Sequence, residues 1–414
     1  MASRDHKPST AGADRGKTFV QSYKELAGNH MKRSDSRILT THVGSMIRPP
    51  ELVALGKTVK QFPDMQPHYD ALLNKLVDDA FKRQVASGID IPNDGEYGKT
   101  SWAAYMLERV SGFEERPKQI RQLNWIGKEL ERFRDVFQVD IPRAITGVPT
   151  WGCIGPIKYT GQVALKRAID ALKAAASHTK SEEVFMTAVA PASSAYDGVN
   201  EYYKDEHDYI FAIAEAMREE YRAIYEAGFV LQVDDALLMN YYDYLTTISP
   251  ARYREWAELC IAALNHALEG IPEDRVRYHI CFGSWHVPHT TDAPLEKVID
   301  IILKVRAGAY SIEAANVRHE HEWRVWEKVK LPPGKILIPG VVTHHTTTVE
   351  HPQLVADRIV RFAKLVGREN VIAGTDCGFA QNETIQRTQP SVMWAKYETL
   401  AEGARLASKE LWGR

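Results

Sequence analysis

The chain has 414 residues, 44% hydrophobic and 26% charged, which is ample material for a sizeable core. A formal charge of −2 and a pI near 6.7 offer no electrostatic pull toward nucleic acid or anionic membrane. No apolar run reaches the roughly 18 residues of a membrane span. The polar opening "MASRDHKPSTAGADRGK" also lacks the apolar stretch of a secretory signal, so a cytoplasmic globular protein is expected.

Residues 1–36 are polar and without sustained periodicity, and read as an N-terminal extension whose removal through Asp35 should leave the rest folded. Residues 37–414 read as one domain. Its first strand candidate is "RILTTHVGS". From there one device recurs: an amphipathic helix, a glycine, then a short apolar strand that ends in a polar or acidic residue. It occurs in "AFKRQVASGIDIPNDGE", "MREEYRAIYEAGFVLQVDD", "VIDIILKVRAGAYSIEAAN" and "RIVRFAKLVGRENVIAGTD". The glycine suits a helix C-cap, and an apolar run after it suits a strand covered on both faces. Helix alternating with strand predicts parallel βαβ units. The charged stretch 113–145 reads as a long, irregular insertion.

The further strand candidates are "PIKYTG", "EVFMTAVAPAS", "VRYHICFG" and "KILIPGVV". That makes nine for the eight places of a (β/α)8 TIM barrel, so one of them is surplus. The rival doubly wound sheet normally carries a glycine-rich phosphate loop after its first strand, and neither GxGxxG nor GxxxxGK[ST] stands there. An α/β (β/α)8 barrel with insertions and an N-terminal extension is the expected fold.

The four cysteines are too sparse for a disulfide framework. Cys260, in the helical pattern "WAELCIAALNHAL", and Cys153 read as packed side chains. Cys281 and Cys377 end strand-like runs, where a barrel gathers its chemistry. The same strand ends carry His42 and Ser45, Asp94 and Glu96, Asp234 and Asp235, His279, Glu313, His344 and His345, and Asp376. Residues two apart on a strand share a face, so His279 and Cys281 in "HIC" can reach one ion. Taken alone, "HIC" is more often a packed core strand than half of a metal site. With Glu313 of "SIEAAN" and Cys377 of "GTDCG" it offers one imidazole, two thiolates and a carboxylate, a set suited to Zn2+.

At "TTHVGS", "DGE", "QVDD", "HIC", "IEAAN" and "GTDCGF", the chain resembles the catalytic barrel of cobalamin-independent methionine synthase. It looks closer still to single-barrel relatives such as epoxyalkane:coenzyme M transferase, at "DGEYGKTSWAAYMLERVSGF" and "NVRHEHEW…LPPGKILIPGVV". The likeness runs in order from about Arg37 to Phe379. It implies a zinc site at His279, Cys281, Glu313 and Cys377 that holds a thiol substrate as its thiolate at neutral pH. It also implies that Asp234 and Glu96 bind an amino-acid ammonium, that Gly44 and Ser45 contact the amino acid, and that His345 acts as a catalytic histidine. Here the chain departs from the pattern: "PGVVTHHTT" has Thr343 where an aspartate is usual, so the register between His344 and His345 is open. The cluster "RHEHEW" reads as a solvated helix start rather than a second metal site.

The function this implies is a zinc-dependent thiol alkyltransferase, first of all S-methylation of homocysteine or a similar small thiol. The alternatives are transfer of a coenzyme M-type thiol to an epoxide, for which Lys99 and Arg318 are candidate anion ligands, and a metal-free decarboxylase of the related porphyrinogen-processing barrels. A single barrel departs from the two-barrel synthase, which leaves the alkyl donor open. The expected partners are a small thiol and an alkyl donor, with no nucleic acid and no membrane. A homo-oligomer is left open.

Overall fold

The structure, a computed structural model, describes residues 30–122, 127–195, 198–383, 385 and 387–413. Ten strands follow in chain order. They are β1 (Leu39–Thr40), β2 (Phe113–Arg121), β3 (Val148–Cys153), β4 (Phe185–Val189), β5 (Gly198–Asn200), β6 (Val230–Asp235), β7 (Val276–Ile280), β8 (Ala309–Ile312), β9 (Ile336–Val342) and β10 (Ile372–Thr375). Seven of them form one parallel sheet in the order β1-β10-β9-β8-β7-β6-β4. Strands β4, β6, β7, β8, β9 and β10 are buried at every residue, the pattern of a parallel sheet covered on both faces.

The covering helices follow from the sequence periodicity. In Gln162–His178, Leu165, Ala168, Ile169, Leu172 and Ala175 recur at helical spacing and are buried together. Helix Glu206–Glu226 starts at Asp205, whose side chain accepts from the Asp208 N–H. Helix Pro250–Ala267 starts at Ser249, which caps Arg252 N, with Pro250 in the first turn where its missing N–H costs nothing. Cys260 is buried on that helix and Cys153 in β3, both as free thiols, in line with a packing role.

The sheet is curled, which Arg277 makes plain. From β7 its fully buried guanidinium reaches across the interior to the β1 end. There it donates to Thr41 Oγ1 (3.0 Å) and His42 O (2.8 Å) and stacks 4.1 Å from the Phe185 ring centre on β4. Between the edge strands β1 and β4 lies the expected strand at 89–92, reduced to a single bridge, Thr41 with Ile91, plus one bond from Phe185 N to Pro92 O (3.3 Å). Pro92 has no N–H to continue a ladder. The Asp90 side chain takes the place of ladder bonds instead, accepting from Thr40 N and from both Arg37 Nη atoms. The surplus strand candidate is "PIKYTG". It forms only a bridge, Val110 with Tyr159.

The charged segment 113–145 is more ordered than its composition suggests. Its strand β2 pairs antiparallel with β3, β5 joins β3 in parallel, and short helices follow at Lys128–Arg132, Arg134–Asp140 and Arg143–Thr146. Among the described residues, no helix is long and apolar enough to cross a membrane.

Residues 31–34, assigned from the sequence to the extension, belong to the packed structure. Met31 is buried in a cluster with Leu39, Phe185, Val230, Ala309, Ile336 and Ile372, the first residues of six strands, and so plugs the N-terminal end of the sheet. Ser34 Oγ donates to Val371 O (2.6 Å) and accepts from Leu39 N (3.0 Å), and Arg33 donates to Gly334 O (2.9 Å). Four residues are too few to show a period, so this anchoring leaves no sequence signal. Burying a methionine is worth about 1.5–3 kcal/mol, and each of these hydrogen bonds about 1 kcal/mol. A chain beginning at Ser36 should therefore melt about 5 °C or more below one beginning at His30. Coincident melting curves, read by circular dichroism, would contradict the anchoring.

Candidate metal centre and pocket

The C-terminal ends of β7 and β10 bring three donor atoms together. His279, Cys281 and Cys377 each offer one ligand atom within 4.8 Å of the others, and the two sulfurs are 3.4 Å apart and share a hydrogen bond. Strand alternation puts His279 and Cys281 on one face. The turn that follows needs Gly283, at φ +101°, because a Cβ there would meet the Trp285 ring at 2.4 Å. Its N–H donates to Cys281 Sγ (3.2 Å), and Ser284 Oγ donates to Cys377 Sγ (3.1 Å).

His279 Nδ1 lies 3.2 Å from Ser311 Oγ on β8, while Nε2 is buried, faces Cys377 and closes no hydrogen bond with it. A ring nitrogen tied to the scaffold and a second left bare among sulfurs is how a metal-ligating histidine is held. The Cys281 hydrogen bond, with help from His279 and Ser284, holds the Cys377 thiol well below its usual value against the opposing effect of burial. The same sulfur pair, together with burial and the Glu313 charge, drives Cys281 well above. Burial disfavours the charged form of His279, but Cys377 and Asp234 outweigh it and raise its pKa. Burial, then Asp376 and Cys377, push Glu313 well up. This is a knot of buried anionic groups that a cation would relieve, and its N/S donor set fits Zn2+.

Glu313 is buried beside the trio but turned from it. Its Oε1 accepts from Phe282 N (3.0 Å), its Oε2 from Asn316 Nδ2 (2.8 Å), and His345 Nε2 is 3.9 Å away. Its close donor group is with His344 and His345 rather than with the sulfurs. Asp376 holds this loop against β10, since its Oδ1 accepts from both Ala314 N and Ala315 N at 2.8 Å.

The trio opens into a pocket also lined by Ser45, Glu96, Asp234, Trp102 and Trp285. Asp234 Oδ1 accepts from Gln232 Nε2 (2.6 Å), and Glu96 Oε1 from Thr187 Oγ1 (2.6 Å). Burial pushes the Asp234 carboxyl up and Glu96 adds to the rise, while His279 and Lys99 oppose it. An ammonium entering here would restore its negative charge. Gly44, at φ +128°, does not line the pocket. A Cβ on it would meet Thr187 Cγ2 at 2.6 Å, so glycine there lets the β1 turn pass under β4. Ser45 sits at the pocket wall, where its Oγ donates to Ala380 O and its carbonyl accepts from Phe379 N.

His345 faces an adjoining pocket with Glu313, His286, His289 and His319, while His344 is fully buried with neither ring nitrogen bonded. Burial, then His289 and His286, hold His345 down to about 3, so it is a neutral imidazole at pH 7. In place of the usual aspartate, Thr343 Oγ1 accepts from His345 N (3.2 Å). The cluster 318–323 is not a solvated helix start throughout. His319 is buried, stacks on Phe282 (3.5 Å between ring centres) and bridges Asp292 Oδ2 and Glu322 Oε2, each at 2.9 Å. Asp292 also receives His289 Nδ1 at 2.8 Å, so a relay of imidazoles and carboxylates backs this pocket.

Of the two expected anion ligands, neither enters the main pocket. Lys99 Nζ is used by Thr187 O and Oγ1 (2.8 and 2.6 Å) and lies 3.6 Å from Glu96, and Arg318 is exposed and donates to Thr290 O. The arginines that do line it are Arg143 and Arg387. Arg143 opens the short helix Arg143–Thr146 and Arg387 lies in the loop after β10, and neither is marked by a motif.

The model for the catalytic domain of cobalamin-independent synthase matches residues 154–397. The chain is 23% identical over 379 residues to a methionine synthase of Saccharolobus solfataricus, covering 90% of this chain and 95% of that protein. It is 20% identical over 336 residues to one from Thermococcus kodakarensis, covering 78% and 80%. The fold is similar to a B12-independent methionine synthase of a Shewanella species in complex with selenomethionine (TM-score 0.67, 19% identity, 91% of this chain and 100% of that one). It is also similar to a putative vitamin B12-independent methionine synthase of Listeria monocytogenes (TM-score 0.62, 18% identity, with the same coverage).

The relay sets a pH dependence. Burial disfavours a charged His319, but Asp292 and Glu322 outweigh it and carry its pKa from 6.5 up to about 9. A histidine raised on folding contributes stability that is whole below its unfolded value and is lost as pH rises through the folded one. Thermal stability should therefore decline between about pH 6.5 and 9, and His319→Gln should flatten that decline. An equal slope in wild type and variant, by melting at several pH values, would rule the relay out as its source.

Proposed function

The chain belongs to the cobalamin-independent synthase family, and on that premise we propose that it is a zinc-dependent thiol methyltransferase acting on homocysteine or a similar small amino thiol. The observation that carries this reading is the convergence of His279 Nε2, Cys281 Sγ and Cys377 Sγ, with Nε2 buried and unbonded. These three would hold the metal, and Glu313 is the fourth ligand we assign. Bound there, Zn2+ supplies the Lewis acidity that keeps a substrate thiol deprotonated at neutral pH. Glu313 accepts hydrogen bonds from Phe282 N and Asn316 Nδ2, which would hold its carboxylate beside a metal bound by the other three.

The remaining residues orient and move protons. Asp234 and Glu96 receive the substrate ammonium, two carboxylates whose mutual repulsion an added cation relieves. Ser45 stands at the wall where the amino-acid end would lie. In the transfer the sulfur lone pair forms the S–C bond, and the bond from carbon to its carrier breaks with its electron pair on the carrier. The proton the thiol gives up must reach that carrier. To His345, whose Nε2 lies 3.9 Å from Glu313 Oε2, we assign delivery of that proton to the leaving group. The His289–Asp292–His319 relay holds the wall beside it. Transfer of a thiol to an epoxide would use the same sulfur chemistry, and the metal-free decarboxylase gives the sulfur pair no work.

Two measurements test this. Purified protein should hold about one zinc per chain. Cys377→Ser should lose most of the metal and the activity, because a hydroxyl is a far poorer ligand than a thiolate, while Cys260→Ser should keep both. Full zinc in Cys377→Ser, by elemental analysis, would sink the assignment. Asp234→Asn should keep its zinc but weaken amino-thiol binding by roughly 1.5–3 kcal/mol, the worth of one charge-assisted hydrogen bond. An unchanged dependence on thiol concentration, in a variant that melts normally, would remove Asp234 from the substrate site.

A further inference from the structure

The pocket that carries the donor trio and the two acids also carries two cations that the preceding reading does not use. Arg143 opens the short helix Arg143–Thr146 of the insertion, and Arg387 lies in the loop after β10. The two reach the same cavity from parts of the chain more than 200 residues apart. Neither guanidinium has a hydrogen bond or an ion pair with another described residue, and Arg387 Nε is buried with no partner. Arg143 is exposed and Arg387 half-buried, whereas the buried Arg109, Arg275 and Arg358 are paired with Glu220, Glu183 and Glu320. A half-buried Arg387 whose Nε is buried without a partner, with a second cation close by, is an arrangement the fold gains nothing from by itself.

The surroundings say what would complete it. The groups that act most on Arg387 are Arg143, Cys377, Cys281 and Asp140, and those that act most on Asp234 are His279, Glu96 and Lys99. Members of the donor trio therefore lie near both the acids and the two arginines. Asp140 is the carboxylate that acts most on Arg387. It is exposed and closes no ion pair with either arginine among the described residues. A planar fork of N–H donors facing a cavity is built for a flat or tetrahedral oxyanion.

We propose that Arg143 and Arg387 form a subsite for an anionic group, a carboxylate or a sulfonate, carried by a substrate that occupies this pocket. The group belongs either to the thiol itself or to the second substrate that approaches its sulfur. The inference rests on the reading that the trio binds a thiol sulfur.

The test uses the zinc-loaded protein and two matched pairs of thiols, followed by isothermal titration calorimetry. One pair is homocysteine and 3-aminopropane-1-thiol, and the other is 2-mercaptoethanesulfonate and 2-mercaptoethanol. In each pair only the first carries the anion. Inorganic sulfate, titrated into protein saturated with the neutral thiol, probes for an anion brought by the second substrate. If the anion is the thiol's, an anionic member binds roughly ten- to a hundredfold tighter than its partner, and Arg387→Gln and Arg143→Gln each erode that ratio. If it is the second substrate's, the pairs bind alike, sulfate binds beside the neutral thiol, and the same variants weaken sulfate. Arg387→Lys, which keeps the charge and loses the fork, should recover only part of either effect. Thiol pairs that bind alike, together with no sulfate binding or sulfate binding indifferent to both arginines, overturn the subsite. If no thiol binds the metal-loaded protein while sulfate still binds through Arg387, the thiol reading has failed and the subsite stands. Arg143 is exposed, so Arg143→Gln keeps the test decisive should Arg387→Gln fold poorly.

Discussion

Two sulfur atoms 3.4 Å apart determine how tightly this sheet must curl. Cys281 follows β7 and Cys377 follows β10, and β8 and β9 lie between them. In a flat sheet, three strand spacings would hold those positions about 14 Å apart. Only a sheet rolled toward a barrel brings them into contact, and Arg277 records the same curvature where it reaches from β7 to the β1 end. The donor trio is thus not a local motif that the fold happens to carry. It exists only when the helices between these strands are seated and the sheet is closed far enough. It follows that a change that flattens the curl would damage the site before it unfolds the core.

The second constraint is charge. Glu313, Asp376, Asp234 and the two cysteines are all drawn into one dry region, where burial drives most of them toward their protonated forms. Packing alone would not assemble such a set, since each unpaired buried ionisable group costs free energy that an apolar residue would not. Asp376 is accounted for by two backbone N–H donors, which lock the loop bearing Glu313 to the strand bearing Cys377. Glu313 and Asp234 also accept hydrogen bonds, from Phe282 N with Asn316 Nδ2 and from Gln232 Nε2. On the proposed reading, a cation among the set and an ammonium beside it would relieve the remaining charge.

Much of this was legible in the sequence because it depends on alternation and strand ends. "HIC" announces a shared face, and the helix–glycine–strand device predicts parallel strands. The orientation of Glu313 was not legible, because a carboxylate with two conformations open to it is decided by its neighbours, here Phe282 N and Asn316. The histidines of "RHEHEW" look alike in sequence and separate in space, with His319 buried in a relay and Arg318 exposed beside it. The strand at 89–92 reads correctly as apolar, yet Pro92 and the Asp90 side chain take over the hydrogen bonds that would make it regular. Arg143 and Arg387 were invisible because a four-residue helix and a loop are both too short or too irregular to leave a periodic pattern along the chain.

The layout that results sets both signs of charge in one place. Two acids, the donor trio and two guanidinium groups line one cavity. In a pocket of low dielectric such an arrangement orients any dipolar molecule before contacts form, because the wrong orientation sets ammonium against guanidinium and acid against acid. A substrate with a cationic end, a sulfur and an anionic group has one orientation that satisfies all three sets of groups, and a substrate that lacks the anion leaves the arginines free for an anionic second molecule. On the proposed reading, charge on either side of the sulfur would fix the side from which its partner comes. The single sheet then does the work of alignment, and the chemistry is left to the few atoms at the ends of β7, β8 and β10.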